Sequence, residues 1–252
     1  MNPIIIAEIG MNHMGDPAYA EEYLKALRTA RPDGITFQVQ SEAYYAEKWH
    51  GSLRLSDAYY RRAAKRTKEL GVRFGVSLCE VGRVAFFEEI GTDFYKVLSK
   101  DIGNRELVAA ALATGKPVYV STGMSSEEEI QAFLAGFDSV PPNLSLIHTQ
   151  LSYDDADTNL CAIAWLREKF GYPVAFGLHS TDANVLYASL GFAPSALFFY
   201  VKGSRSITHR DEEHAVPLAA CLETTVEIRR LWTMMGDGVK KKMPNRIADQ
   251  KK

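Results

Sequence analysis

Charged, hydroxylated and imidazole side chains in this sequence gather at the ends of apolar runs, where a strand stops and a loop begins. Glu8 falls in IIIAEIG, and the loop GMNHMGD after it carries Asn12, His13 and Asp16. Thr36 and Gln38 end GITFQVQ, and Ser77 and Glu80 close the next run. Lys96 and Ser99 stand three residues apart in YKVLS, with Asp101 just beyond. Ser121 and Thr122, then His148, Gln150 and Tyr153, then His179 and Ser180 close the following three runs. Tyr200 and Lys202 end ALFFYVK, and Arg205, Asp211 and His214 follow. A buried lysine such as Lys96 or Lys202 can form a Schiff base when desolvation favours its neutral form. His179 with Glu8, Asp211 or His214 offers the nitrogen and oxygen ligands that suit manganese or magnesium, or else is a hydrogen-bonded histidine at a strand end. Lys202 is the odd residue, because a core strand ending in FFYV needs no lysine for solubility. It is expected to face the mouth of a site, or to pair with Glu8 or Asp211.

The elements that must position these groups alternate regularly. Apolar, β-branched runs such as PIIIAEIG, VRFGVSLC and KPVYVSTG read as strands, and helical spacing fills the intervals between them. Pro17 and Pro32 bracket the first helix, Ser56 and Gly71 bound the helix SDAYYRRAAKRTKELG, and Asn104 caps NRELVAAALATG. Acidic residues mass in the first turn of SSEEEIQAFLAGF, as the helix dipole favours. The last helix is expected over VPLAACLETTVEIRRLWTMMG. Eight such β-α pairs in 252 residues predict an α/β fold, a single (β/α)8 TIM barrel over residues 1–239, with a basic C-terminal tail at 240–252. A doubly wound open sheet is the alternative. In a barrel of this kind the chemistry lies at the C-terminal ends of the strands, where the residues above fall.

Composition narrows the function. The chain is 46% hydrophobic and 24% charged, with a net charge of -2, so it has material for a core and lacks the basic footprint of a nucleic-acid binder. No apolar run approaches the ~20 residues that span a bilayer. The N-terminus has no basic start or small-residue cleavage site and reads as a strand. Cys79, Cys161 and Cys221 are widely spaced and odd in number, which predicts free thiols in a cytoplasmic protein.

Five stretches carry a family resemblance, in order along nearly the whole chain. These are IIAEIGMNHMGD, the Phe37-Gln38 pair, YKVLSKDIGNRELV, GKPVYVSTGMSSEEEI and LIHTQLSYDDADTNL. Together they resemble the catalytic barrel of the sialic acid synthase family, which condenses phosphoenolpyruvate with an N-acylated amino sugar to give nine-carbon keto acids. The resemblance implies that Lys96 and Ser99 hold phosphate or carboxylate, with Ser77 where the family has threonine. It implies that Gln38, Asp101 and Tyr153 face the sugar. Lysine and hydroxyl groups suit a compact anion, because charge-assisted hydrogen bonds are strongest in a water-poor pocket. Glu8, Lys96, Asp101 and Lys202 are the candidate catalytic residues. Gln38, Ser77, Ser99, Ser121, Tyr153 and Asp211 are the candidate substrate contacts, and His179 is the candidate metal ligand. The expected partners are phosphoenolpyruvate, a sugar and a second copy of the chain in a homodimer, with neither nucleic acid nor membrane.

The sequence also departs from the family pattern. Thr36 stands where the family has a lysine before Phe-Gln. GLHSTD places its histidine two positions earlier than the metal-binding histidine of strand seven. Tyr200 takes the position of the second metal histidine, and the sequence ends before the small antifreeze-like domain that such proteins carry. A metal of the manganese or magnesium type is therefore an expectation resting on His179. Lys202 is a candidate to offset the lost lysine or the lost metal charge. A metal-free Schiff-base pyruvate aldolase and a non-catalytic sugar-acid-binding barrel are the two competing functions.

Overall fold

The computed structural model describes residues 3–241 except residue 138. Strands β1 (Ile4–Gly10), β2 (Gly34–Val39), β3 (Arg73–Leu78), β4 (Phe94–Val97), β5 (Val118–Ser121), β6 (Leu144–His148), β7 (Val174–Gly177) and β8 (Ala196–Lys202) lie in sequence order. Each is parallel to the next, and β1 pairs with β8 to close the barrel. The fold is the expected (β/α)8 barrel. Strands this apolar are buried on both faces, as closure under a ring of helices requires. The expected basic tail falls outside the described residues from position 242 onward.

Side chains alternate across each strand, so one set fills the barrel and the other meets the helices. Ile6, Phe94, Tyr119, Ile147, Ala175, Ala196 and Phe198 form the interior plug. The outward set packs under α1 (Pro17–Ala30), α3 (Asp57–Glu69), α4 (Val84–Glu89), α5 (Arg105–Ala113), α6 (Glu127–Leu134), α7 (Cys161–Phe170), α8 (Asn184–Ser189) and α9 (Cys221–Met235). The expected caps form. Ser56 Oγ accepts from the Tyr59 amide at 3.2 Å, and Asn104 Oδ1 accepts from the Leu107 amide at 3.1 Å. Ser126 and Glu129 complete a reciprocal capping box on α6.

The Phe94 ring occupies space that only glycine leaves on the neighbouring strands. A Cβ at Gly75 would lie 2.2 Å from its Cζ, and one at Gly34 2.9 Å from its Cε1. Gly75→Ala is therefore expected to overpack the plug and cost about 3 kcal/mol, read as a melting temperature lower by roughly 10 °C. Gly75→Ala combined with Phe94→Leu should recover much of that loss. A single variant that melts with the wild type would refute the packing.

Two elements differ from expectation. A short helix α2 (Glu42–Ala46) follows β2, capped by Ser41. The last helix starts at Cys221 rather than Val216, because Val216–Pro217 forms a two-residue strand β9 beside β8. A residue before proline is driven out of the helical region, so Val216 is extended whatever the apolar spacing suggests. No helix among the described residues is long and apolar enough to cross a membrane. All three cysteines are unpaired.

Candidate active site

At the C-terminal end of the barrel, Glu8 and Lys96 meet across its axis. Their strands are not neighbours in the sheet. Both side chains are buried, and Lys96 Nζ donates to the two Glu8 carboxylate oxygens at 2.7 and 2.5 Å. Thr36 Oγ1 adds a longer contact to Glu8 at 3.3 Å. The rings of Phe198 and Tyr200 lie 5.3 and 5.4 Å from the ammonium, within cation–π range. The ion pair thus sits on the plug of the barrel, in surroundings that amplify any charge brought near it.

Ser77 stands beside Lys96 in the β3–β4 register. Its hydroxyl is buried and has no hydrogen-bond partner, which is uncommon for a buried polar atom and frequent where a ligand binds. Gln38 is next in register to Ser77, and its Oε1 accepts from the Tyr200 hydroxyl at 3.4 Å. Burial and the charges of Glu8 and Asp211 push the Tyr200 phenol well above its usual range, so it stays protonated. Ser99 and Ser121 are buried at the ends of β4 and β5.

The loop after β1 and the loop after β8 are locked together by Asn12. Its amide nitrogen donates to the Val201 carbonyl at 2.9 Å, and its oxygen accepts from the Asp211 amide at 3.0 Å. Gly10, at φ +56°, gives way to Tyr200, since a Cβ there would lie 2.7 Å from the phenol ring. Asp211 is thereby held near Glu8, and burial followed by the Glu8 charge pushes its carboxyl up to about 7. His214 lies 3.9 Å from Asp211 Oδ1 and stacks on His179 with ring centroids 4.6 Å apart. His179 Nδ1 shares a 2.7 Å hydrogen bond with Thr149 Oγ1. Burial, aided by nearby positive charge, lowers His179 to about 3 and His214 to about 4, so both rings are neutral near pH 7.

Other candidates have different surroundings from those expected. Lys202 does not reach Glu8 or Asp211. Its ammonium donates to the Glu212 carbonyl and to Glu212 Oε1, both at 2.7 Å. It lies one layer above Tyr200, where the loop after β8 folds back and brings Glu212 within reach. The second Glu212 oxygen takes the ring and amide of His209, whose Nε2 meets the Tyr19 hydroxyl at 2.8 Å. Lys202 and His209 hold the Glu212 carboxyl down to about 2. This chain ties the loop to α1. Asp101 pairs with Lys100 at 2.9 Å just past β4. Tyr153 is 54% exposed, on the rim, with its ring 6.0 Å from His214. His13 shapes the first loop, its Nδ1 accepting from the Gly15 amide at 2.9 Å. His148 points outward and bonds the Thr158 carbonyl at 3.0 Å, and His50 stacks on Tyr44. Burial pushes the Cys79 thiol up to about 12, which makes it a poor nucleophile.

The donor set does not match a divalent metal. Among the described residues, no three His, Cys, Asp or Glu side chains converge as ligands. Glu8 is committed to Lys96, His179 Nδ1 to Thr149, and Tyr200 presents a protonated phenol. Manganese or magnesium at His179 thus stays an expectation without a converged set of three ligands among the described residues, and no step below passes through a metal.

Comparison with known proteins decides the family. The sequence model described as the NeuB family matches residues 19–240, most of the chain. The chain belongs to the NeuB family. This NeuB-family chain is 22% identical to the N-acetylneuraminate-9-phosphate synthase of Homo sapiens, over 98% of its own length and 75% of that protein's. It is 24% identical to the N,N'-diacetyllegionaminic acid synthase of Legionella pneumophila, over 98% and 77%. A sialic acid synthetase from Leptospira borgpetersenii shares its fold with a TM-score of 0.90 at 23% identity, over 100% of this chain and 91% of that one. The fold likeness extends to a truncated 3-deoxy-D-arabino-heptulosonate 7-phosphate synthase of Thermotoga maritima, with a TM-score of 0.71 at 13% identity over 93% and 88%. The sialic acid synthase resemblance in the strand-end motifs is thus a family relationship.

Proposed function

We propose that this chain is a carbon–carbon bond-forming transferase that condenses phosphoenolpyruvate with an aldose or an N-acyl amino sugar. Its product is a nonulosonic, sialic-acid-like keto acid. The observation that carries this reading is the buried Lys96–Glu8 pair at the C-terminal face, with the unpartnered Ser77 hydroxyl beside it, in a chain of the NeuB family. Phosphoenolpyruvate brings carboxylate and phosphate, both of which compete with Glu8 for the Lys96 ammonium. Ser77 and Ser99 add hydroxyl donors, and Gln38, Tyr153 and Asp211 line the acceptor side. C3 of phosphoenolpyruvate attacks the acceptor's aldehyde carbon, water adds to the resulting cation at C2, and phosphate leaves. Holding the two substrates in contact lowers the barrier by removing their relative freedom before the bond forms. The three unpaired thiols support a reducing cytoplasm as the setting.

The Schiff-base aldolase is the weaker reading, because Lys96 is clasped by Glu8 and Lys202 by Glu212, so neither amine stands free to attack a carbonyl. A non-catalytic sugar-acid-binding barrel leaves the catalytic-face ion pair without a role. The deciding experiment follows phosphate release from phosphoenolpyruvate with a panel of N-acyl amino sugars and other aldoses, with manganese and again with chelator. Acceptor-dependent release that persists in chelator is the expected result. Absence of release with every acceptor, or a borohydride-trapped pyruvate adduct on a barrel lysine, would overturn the reading.

A further inference from the structure

His214 is the buried group at the mouth that the motifs leave without a task. Its side chain is 6% exposed, yet neither ring nitrogen has a hydrogen-bond partner. Everything around it fixes the ring without satisfying it. His179 stacks on one side, the edge of Tyr200 meets it at 5.4 Å, and Tyr153 closes the rim. Asp211 is the nearest carboxyl, 3.9 Å from Nε2, and Asn12 holds the Asp211 backbone from behind. A buried imidazole with two free nitrogens, anchored by stacking alone, is built to meet a polar atom that arrives with the substrate.

We propose that His214 donates the hydrogen bond that receives the acceptor's carbonyl oxygen as the carbon–carbon bond forms. The assignment rests on the synthase reading above. It gives the carbonyl a protein donor at the mouth where the donor set does not match a metal. An imidazole carries an N–H that can polarise a carbonyl as an electrophile. The electrons balance as follows. The C2–C3 π pair of phosphoenolpyruvate forms the new bond, and the carbonyl π pair moves onto oxygen. The N–H of His214 donates a hydrogen bond to that oxygen as its charge develops. The water that adds at C2 releases the proton that neutralises the new alkoxide, so the imidazole ends as it began. His214 is then a catalytic residue, and Asp211, 3.9 Å from Nε2, helps to position its ring.

The test compares wild type, His214→Ala and His214→Gln in acceptor-dependent phosphate release, with phosphoenolpyruvate binding measured by calorimetry. Loss of an oxyanion donor lowers kcat by about 100- to 1000-fold, and that loss is expected for the alanine variant with the Kd for phosphoenolpyruvate within about twofold. Glutamine carries an N–H donor and should regain about tenfold of kcat. Nitrogen NMR of the wild-type histidine rings needs no variant to fold. The His214 signals should shift when the acceptor that supports release is added. Alanine-variant release within about threefold of wild type, or His214 signals that do not move, would overturn the assignment while leaving the synthase intact. Wild-type release that stops in chelator and returns with manganese would give the carbonyl to a metal and also overturn it. Wild type that releases no phosphate would refute the synthase reading, and this assignment with it.

Discussion

Replacing Lys96 with alanine is expected to abolish phosphoenolpyruvate binding and, separately, to destabilise the barrel. The binding loss follows from the site's charge, since among the described residues Lys96 is the one buried lysine or arginine, and Lys202 is held by Glu212. The stability loss follows from Glu8, which the variant leaves as a buried carboxylate without its ammonium. Breaking one side of a buried pair costs about 3–5 kcal/mol. The two effects separate in a double variant. Lys96→Met with Glu8→Gln removes both charges at similar volume, so the melting temperature should recover most of its loss while binding stays absent. Calorimetry and thermal melts on the three variants read both quantities. Unchanged phosphoenolpyruvate binding by Lys96→Ala would sink the phosphate-site assignment. An unchanged melt would show that Glu8 finds another partner.

How much of this was legible in the sequence depends on the distance over which each feature is decided. The eight strands are legible because parallel strands buried on both faces read as unbroken apolar runs. The caps at Ser56 and Asn104 are legible because capping is settled within three residues. That Glu8, Lys96 and Tyr200 share the catalytic face follows from the barrel rule alone. Their pairings do not follow, because Glu8 and Lys96 lie 88 residues apart on non-adjacent strands and meet only once the barrel closes. Lys202 was expected to serve the site, and its partner Glu212 comes from a loop whose return path no spacing reveals. Asn12 was visible in the first loop, but its role as a clamp on Asp211 and Val201 depends on the loop after β8. Thr36 and Tyr200 stand out only against the family pattern. By themselves they read as an ordinary threonine and an ordinary core tyrosine. The one cue to Val216 leaving the helix was the proline after it, which the amphipathic spacing of the last helix concealed.

Acid is expected to unfold this protein earlier than its surface ion pairs suggest, because burial holds His13, His148, His179 and His214 below the usual imidazole range. Burial, the largest cause in each case, lowers His13 to about 4, His179 to about 3 and His214 to about 4, against about 6.5 in an unfolded chain. Between pH 6.5 and 4 the unfolded state therefore holds up to three protons on His13, His179 and His214 alone that the folded state does not, and stability falls as pH falls. Asp211 works the other way. Its folded value of about 7 lies above the model-peptide 3.8, so in the same window the folded state holds one proton that the unfolded state lacks. The histidines outnumber it, and the net slope is about two protons, or roughly 2–3 kcal/mol per pH unit at its steepest. Urea unfolding at pH 7, 6 and 5 reads the slope directly. Asp211→Asn removes the opposing proton, so it should stabilise the protein at pH 7, lose that advantage towards pH 4 and steepen the acid limb. A midpoint that does not move between pH 7 and 5 would mean that the histidines take up protons without opening the fold.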